Sequence, residues 1–278
     1  MKRKWTISIS FIIVFLWSWA VIVEPYLLLE KSELAIQAKN FPEGFQNIKI
    51  AIVSDLHIGK GPLERWRAER ILNAVNAEKP DIILFLGDYS NGYFYQTKLS
   101  PEKLIAYLSK FKASIGKFGI LGNHDISYGE DLIINVLQKS DIILLRNSNA
   151  YVQTSYGNIY IAGINDALAS NHYSYSAALN GIPQTEPVIF LTHVPSASRE
   201  VPKFVDIVLA GHSHGGQLRL PFIGNIFPLK NTPRNLVAGL NEYMGHQVFT
   251  SRGLGTSRFP IRFFCPPEFT ILRISPKK

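Results

Sequence analysis

The chain predicts an α/β (α+β) fold, and three observations carry that expectation. Five short runs, 48–53, 81–86, 118–121, 188–191 and 205–209, are dense in Ile, Val, Leu and Phe. Runs of this length, apolar on both faces and bounded by glycine or polar turns, are buried strands. Helical spacing lies between the early ones: Leu63, Trp66, Ile71, Leu72 and Val75 predict a helix over 63–76. Ser100-Pro101-Glu102 is a helix start and predicts one over 101–110, with a shorter helix over 131–138. Strand and helix alternate in this half, which gives βαβ units; from Asn158 onward strands and turns dominate.

A chain of 278 residues suits one catalytic domain with an appendage. The expected division is an N-terminal membrane anchor over 1–24, a connecting segment over 25–47 and the catalytic domain over 48–278. Lys2, Arg3 and Lys4 precede an uncharged run, 5–23, which Glu24-Pro25 is expected to end. The run is just long enough to cross a bilayer. A cleaved signal peptide competes, with Ser18-Trp19-Ala20 as its small-x-small site, but the tryptophans spoil that pattern and suit an interfacial belt. The basic residues before the span favour a cytoplasmic N-terminus and an outward catalytic domain. A monotopic helix lying on the cytoplasmic face is the alternative, since Lys31 and Lys39 follow the span. In a bacterium this is the inner membrane.

Net charge is +8, falling to +5 once Lys2, Arg3 and Lys4 are set aside. That excess is spread out, without a dense basic stripe interleaved with aromatics, so nucleic acid is not an expected partner. It suits an anionic lipid surface or a phosphate substrate. Nothing points to an obligate protein partner. The single cysteine, Cys265, excludes an intramolecular disulfide and reads as a small buried apolar residue.

The polar residues just past the strands carry the chemistry. In order they are Asp55-Leu56-His57, Gly87-Asp88, Gly122-Asn123-His124-Asp125, His193 and Gly211-His212-Ser213-His214. Five of the seven histidines lie in these blocks; His172 and His246 do not. Taken singly, each block has a plain reading: Asp-x-His or Gly-Asp as a turn, Asn-His-Asp as a helix cap. Together they follow the carboxyl ends of five strands, and such residues collect in one crevice. Oxygen and imidazole donors without thiolate suit Mn²⁺, Fe or Zn²⁺.

This ordered set resembles the calcineurin-like metallophosphoesterases over roughly 48–272. The resemblance implies a four-layer αββα sandwich and two divalent metal ions, Mn²⁺ favoured. Asp55, His57 and His214 would hold one ion, Asn123, His193 and His212 the other, and Asp88 would bridge them. A hydroxide shared between the ions would attack phosphorus in line. His124 would not be a ligand but would protonate the leaving oxygen or stabilise the phosphoryl oxygens, and Asp125 would orient His124. Residues 215–221, 251–256, 260–262 and 267–269 resemble the bacterial membrane-associated branch, which implies phosphodiester or pyrophosphate bonds of a lipid-linked substrate. UDP-2,3-diacylglucosamine pyrophosphatase of lipid A synthesis, a protein phosphatase and an inactive scaffold are the alternatives.

Weaker candidates complete the reading. Arg219 and Arg262 are the expected phosphate contacts among Arg219, Arg252, Arg258 and Arg262. Asp166 reads as a turn aspartate ahead of a carboxylate supporting the metal site, and His172 as exposed. Residues 167–187 are expected to form a loop or short helix over the rim. Residues 222–240, with three prolines in and beside them, read as a loop on their own sheet slightly ahead of a membrane-facing lip.

Overall fold

A computed structural model describes residues 2–91, 98–229 and 231–277, with side chains from residue 10 onward. Among the described residues two six-stranded sheets face one another. The first has the order β1 (Glu30–Ala38), β14 (Glu268–Pro276), β2 (Ile50–Val53), β3 (Ile82–Phe85), β4 (Gly116–Gly119), β5 (Ile143–Leu144). The second has the order β12 (Gly239–Tyr243), β13 (His246–Thr250), β9 (Ile207–Ala210), β8 (Val188–Thr192), β7 (Gly157–Gly163), β6 (Ser148–Thr154). Strands β2 to β5 run parallel, as do β7, β8, β9 and β13.

Each central strand is buried on both faces, and its alternating side chains serve two cores. From β2 and β3, Ile50, Ile52, Ile82 and Leu84 pack between the sheets against Ile189, Leu191, Ile207 and Leu209. Their neighbours Ala51, Val53, Ile83 and Phe85 face outward onto helices α2 (Pro62–Ala77), α3 (Pro101–Leu108) and α4 (Asn123–Lys139). The outer face of the second sheet, with Val188, Phe190 and Val208, is covered more thinly by α5 (Tyr175–Ala178) and nearby 3₁₀ turns. The result is the expected αββα layering.

Two differences from the sequence reading concern the N-terminal end. Residues 25–47 are more than a connection, because β1 pairs in parallel with β14 over nine residues, from Glu30↔Glu268 to Ala38↔Pro276. Pro25 does not end the helical run either. Helix α1 (Lys2–Ser18) continues as a π-wound segment, Trp19–Leu27, with Pro25 inside it. The wider winding, closed by Leu28 N–H to Val23 O at 3.0 Å, accommodates a residue that has no amide hydrogen. Within this run Ser10–Leu27 is long and apolar enough to cross a membrane. Side chains from Phe11 to Trp17 are exposed, whereas Glu24, Pro25 and Tyr26 are buried against the domain.

Candidate metal centre

All seven predicted ligands stand at strand carboxyl ends: Asp55 and His57 after β2, Asp88 after β3, Asn123 after β4, His193 after β8, His212 and His214 after β9. Five of them have left-handed backbones: Asp55 (φ 52°), His57 (42°), Asp88 (56°), His212 (66°) and His214 (50°). Each such residue costs on the order of 1–3 kcal/mol and persists where the surroundings hold it in place. Here the turns throw successive side chains back over the strand ends. Arg67 of α2 braces one turn, its Nη2 donating to Leu56 O (3.1 Å) and His57 O (3.2 Å) while it pairs with Glu64.

The side chains converge in two overlapping groups. Donor atoms of Asp55, His57, Asp88 and His214 all lie within 4.8 Å of one another. His57 Nε2 faces His214 Nε2 at 3.1 Å, and His214 Nε2 lies 3.4 Å from Asp55 Oδ1. On the other side Asn123 Oδ1 meets His193 Nε2 at 3.2 Å and His212 Nδ1 at 3.0 Å. Asp88 Oδ2 joins the groups, 3.4 Å from His57 Nε2 and 3.3 Å from His193 Nε2. Gly122 leaves room for this packing: a Cβ there would strike Asp88 Oδ1 and come within 2.7 Å of His193 Cε1. The glycine therefore admits neighbouring donor side chains.

The donor set fits a cation. His193 Nδ1 donates to Leu86 O at 2.7 Å, so its Nε2 is the atom presented to Asp88 and Asn123. Two oxygens facing that nitrogen need positive charge between them. Burial alone would lower His193, but Asp88 outweighs it and leaves the imidazole well above its ordinary range. Burial pushes Asp55 up to about 6 against the pull of His193. Burial also holds His57, His212 and His214 low, in the neutral form a metal requires. The buried Nδ1 atoms of His57 and His214 find no hydrogen-bond partner among the described residues.

The sequence profile of the calcineurin-like phosphoesterases matches residues 48–216, which is more than half of the chain and spans every one of these ligands. The chain is a calcineurin-like metallophosphoesterase. It is therefore a metal-dependent phosphoester hydrolase, and its buried cluster implies divalent metal ions. The uncharacterized metallophosphoesterase YkuE of Bacillus subtilis is 31% identical over 93% of this chain and 89% of its own length. The phosphodiesterase YaeI of Escherichia coli is 30% identical over 84% of each chain. A zebrafish (Danio rerio) transmembrane protein with a metallophosphoesterase domain is 28% identical over 86% of this chain and 55% of its own. Among solved structures, the calcineurin-like phosphoesterase YfkN of Bacillus subtilis aligns at a TM-score of 0.44 and 13% identity, over 74% of this chain and 81% of that one.

The remaining predicted residues of this metallophosphoesterase divide. His124 is in the cleft: its ring meets His57 edge-on at 4.5 Å between centroids, and its amide donates to Asp88 Oδ1 at 2.8 Å. Asp125 does not orient His124. Its oxygens accept from the amides of Asp88 (2.7 Å), Tyr89 (2.9 Å) and Gly122 (2.9 Å). It caps α4 and fixes the turn that carries Asp88.

Arg262 is not a substrate contact. It is wholly buried, and its guanidinium donates to the carbonyls of Arg252, Gly253, Gly255 and Cys265. That knits the 252–255 loop under Asp55, where Gly255 N–H donates to Asp55 O at 2.6 Å. Arg219 donates to Gly215 O at 3.0 Å beside the His214 turn, and Arg252 pairs with Glu268 and Glu30. Asp166 is buried, with Oδ1 capping the Leu168 and Ala169 amides and Oδ2 without a hydrogen-bond partner among the described residues. His172 is exposed and Cys265 buried, as read.

The 167–187 segment includes α5, and its Ala167, Leu168, Tyr173 and Tyr175 line a cavity with Val194, next to His193. Sequence reasoning missed Arg67 and Ser54, whose Oγ donates to Asp55 Oδ2 at 2.5 Å. A buried arginine at helical spacing from apolar Ala68, Ile71 and Val75 was the one available signal.

Proposed function

We propose that this chain is a membrane-anchored phosphoesterase using two divalent ions on phosphodiester or pyrophosphate bonds of a lipid-linked substrate. The placement of Asp88 carries the two-ion reading. One carboxylate oxygen lies within 3.4 Å of histidines from both donor groups, so Asp88 is set to be shared. Asp55, His57 and His214 would hold one ion and Asn123, His193 and His212 the other, Mn²⁺ being favoured over Fe or Zn²⁺. When bound, such a pair supplies Lewis acidity and a nucleophilic water at neutral pH.

The chain's own residues do the rest. His193 is oriented by Leu86 O, and Asp55 by Ser54 and by the His212 amide at 3.1 Å. His124 sits against His57 and would deliver the proton to the leaving oxygen at its imidazole nitrogen. Burial lowers His124 below its ordinary range, while the nearby Asp88 carboxylate pulls the other way.

The apolar N-terminal helix supports anchoring, and the name of the zebrafish relative is in keeping with it. The name of the Escherichia coli relative favours a diester over a phosphoprotein. The decisive test is release of UMP from UDP-2,3-diacylglucosamine by the full chain in detergent with Mn²⁺, against an Asp88→Ala control. Metal-dependent release absent from the control places the reaction in lipid A synthesis with a cytoplasmic-facing site. Cleavage of bis-p-nitrophenyl phosphate without UMP release leaves an envelope phosphodiesterase, facing outward.

A further inference from the structure

Beyond the N-terminal helix, the four most exposed large apolar side chains among the described residues, Phe222, Ile223, Phe259 and Phe227, stand on two loops. Phe222, Ile223 and Phe227 lie in and just after the hairpin of β10 (Arg219–Leu220) and β11 (Gly224–Asn225). Phe259 and Phe264 stand on the loop before β14. Phe222 is fully exposed, and Phe259 is 68% exposed. The loops are bound together: Arg219 N–H donates to Phe263 O (2.9 Å), Phe263 N–H to Gln217 O (2.8 Å), and the Gln217 amide to Ile261 O (3.1 Å). Phe222 and Phe264 both have left-handed backbones, at φ 67° and 50°, an outlier conformation for aromatic residues.

The same loop grips the N-terminal helix. Glu24 is buried and accepts from the amides of Phe264 (3.0 Å) and Cys265 and from Trp19 Nε1 (2.9 Å). Arg262 N–H donates to Ala20 O at 2.9 Å. The apolar crown is therefore continuous with the end of a helix whose side chains from Phe11 to Trp17 are exposed. Residues 217–235 and 256–267 contain no Asp or Glu but carry Arg219, Arg234 and Arg258. Exposed aromatics with basic neighbours and no acid match the chemistry of an anionic bilayer surface.

We propose that the 222–227 tip and the 259–264 loop form a second membrane contact, seated at the headgroup–acyl boundary where the N-terminal helix leaves the bilayer. This rests on the anchoring reading above. The contact fixes the orientation of the cleft, since Gln217 N–H donates to His214 O at 3.0 Å and Cys265 Sγ to the same oxygen at 3.3 Å. Substrate headgroups would then reach the metal centre at the membrane surface.

The test uses the full chain in vesicles of phosphatidylcholine and phosphatidylglycerol, with nitroxide labels at Phe222→Cys, Phe259→Cys and, on β6 away from both loops, Tyr151→Cys. The unsubstituted chain reports any labelling of buried Cys265. Labels at 222 and 259 are expected to be more accessible to oxygen than to a water-soluble nickel complex, and the label at 151 the reverse. Retention of the chain through alkaline extraction with 222 and 259 as aqueous as 151 overturns the second contact alone. Release of the chain with aqueous labels overturns anchoring as well. Spin–spin broadening between copies at 222 would assign the crown to self-association and overturn the lipid contact.

Discussion

The metal cleft and the apolar crown lie only a few residues apart in sequence, at His214 and Phe222, yet they depart from ordinary burial in opposite directions. Asp55, Asp88 and His193 are essentially inaccessible, while Phe222 is fully exposed. Buried ionisable groups persist only when they are paired or coordinate a cation. The cleft meets that condition internally, with Asp88 set between His57 and His193. Exposed apolar patches have no such internal remedy and mark a surface that something else covers. Polarity inside a fold thus points to a small ligand, and apolarity outside it to a large one.

Breaking the cleft should have the largest consequences. Asp88→Ala removes the carboxylate shared by both donor groups; turnover of bis-p-nitrophenyl phosphate is expected to fall on the order of 10³-fold, as for loss of a main electrostatic stabiliser. Unchanged turnover would refute the site. Gly122→Ala tests the packing behind it, because the added methyl displaces Asp88 and His193. Steady-state kinetics should show a loss of about 10²-fold, the scale of an ångström-level misplacement.

A pH titration sharpens the cleft side of the comparison. Burial raises Asp55 to about 6, so below that value a proton competes with the cation for its carboxylate. Metal affinity measured by calorimetry should weaken as pH falls through about 6 and strengthen as it rises. An affinity independent of pH across that window would remove Asp55 from the ligand set.

On the crown side the effect should be structural and smaller. Glu24→Ala leaves the buried amides of Phe264 and Cys265 without their acceptor. Each unsatisfied group costs about 1–3 kcal/mol, which thermal melting of the full chain in detergent will register. Cleavage of a water-soluble diester by the folded protein should change little, since Glu24 touches no predicted ligand. A loss as large as that of Asp88→Ala would mean the helix end shapes the cleft directly.

The cleft was legible because its signals are local. Each ligand block directly follows an apolar run, and Gly87, Gly122 and Gly211 mark where the chain turns. What was illegible depends on partners far away in sequence. β1 reads as polar connection because only Ile36 and Ala38 are fully buried in it; its identity as a strand comes from β14, more than two hundred residues on. Arg262 resembled a phosphate ligand because nothing in the sequence shows four carbonyls closing around its guanidinium. Asp125 adjoins His124, but α4 starts at Asn123 and turns that carboxylate back onto the amides of Gly122, Asp88 and Tyr89.

The central claim is that one chain holds two ions around a shared Asp88. Metal titration of the full chain, stripped by chelator and followed by calorimetry and elemental analysis, tests it most directly. The account predicts two divalent ions bound per chain, with diester hydrolysis returning as they bind. A single ion at full activity, or full activity in the stripped protein, would contradict it.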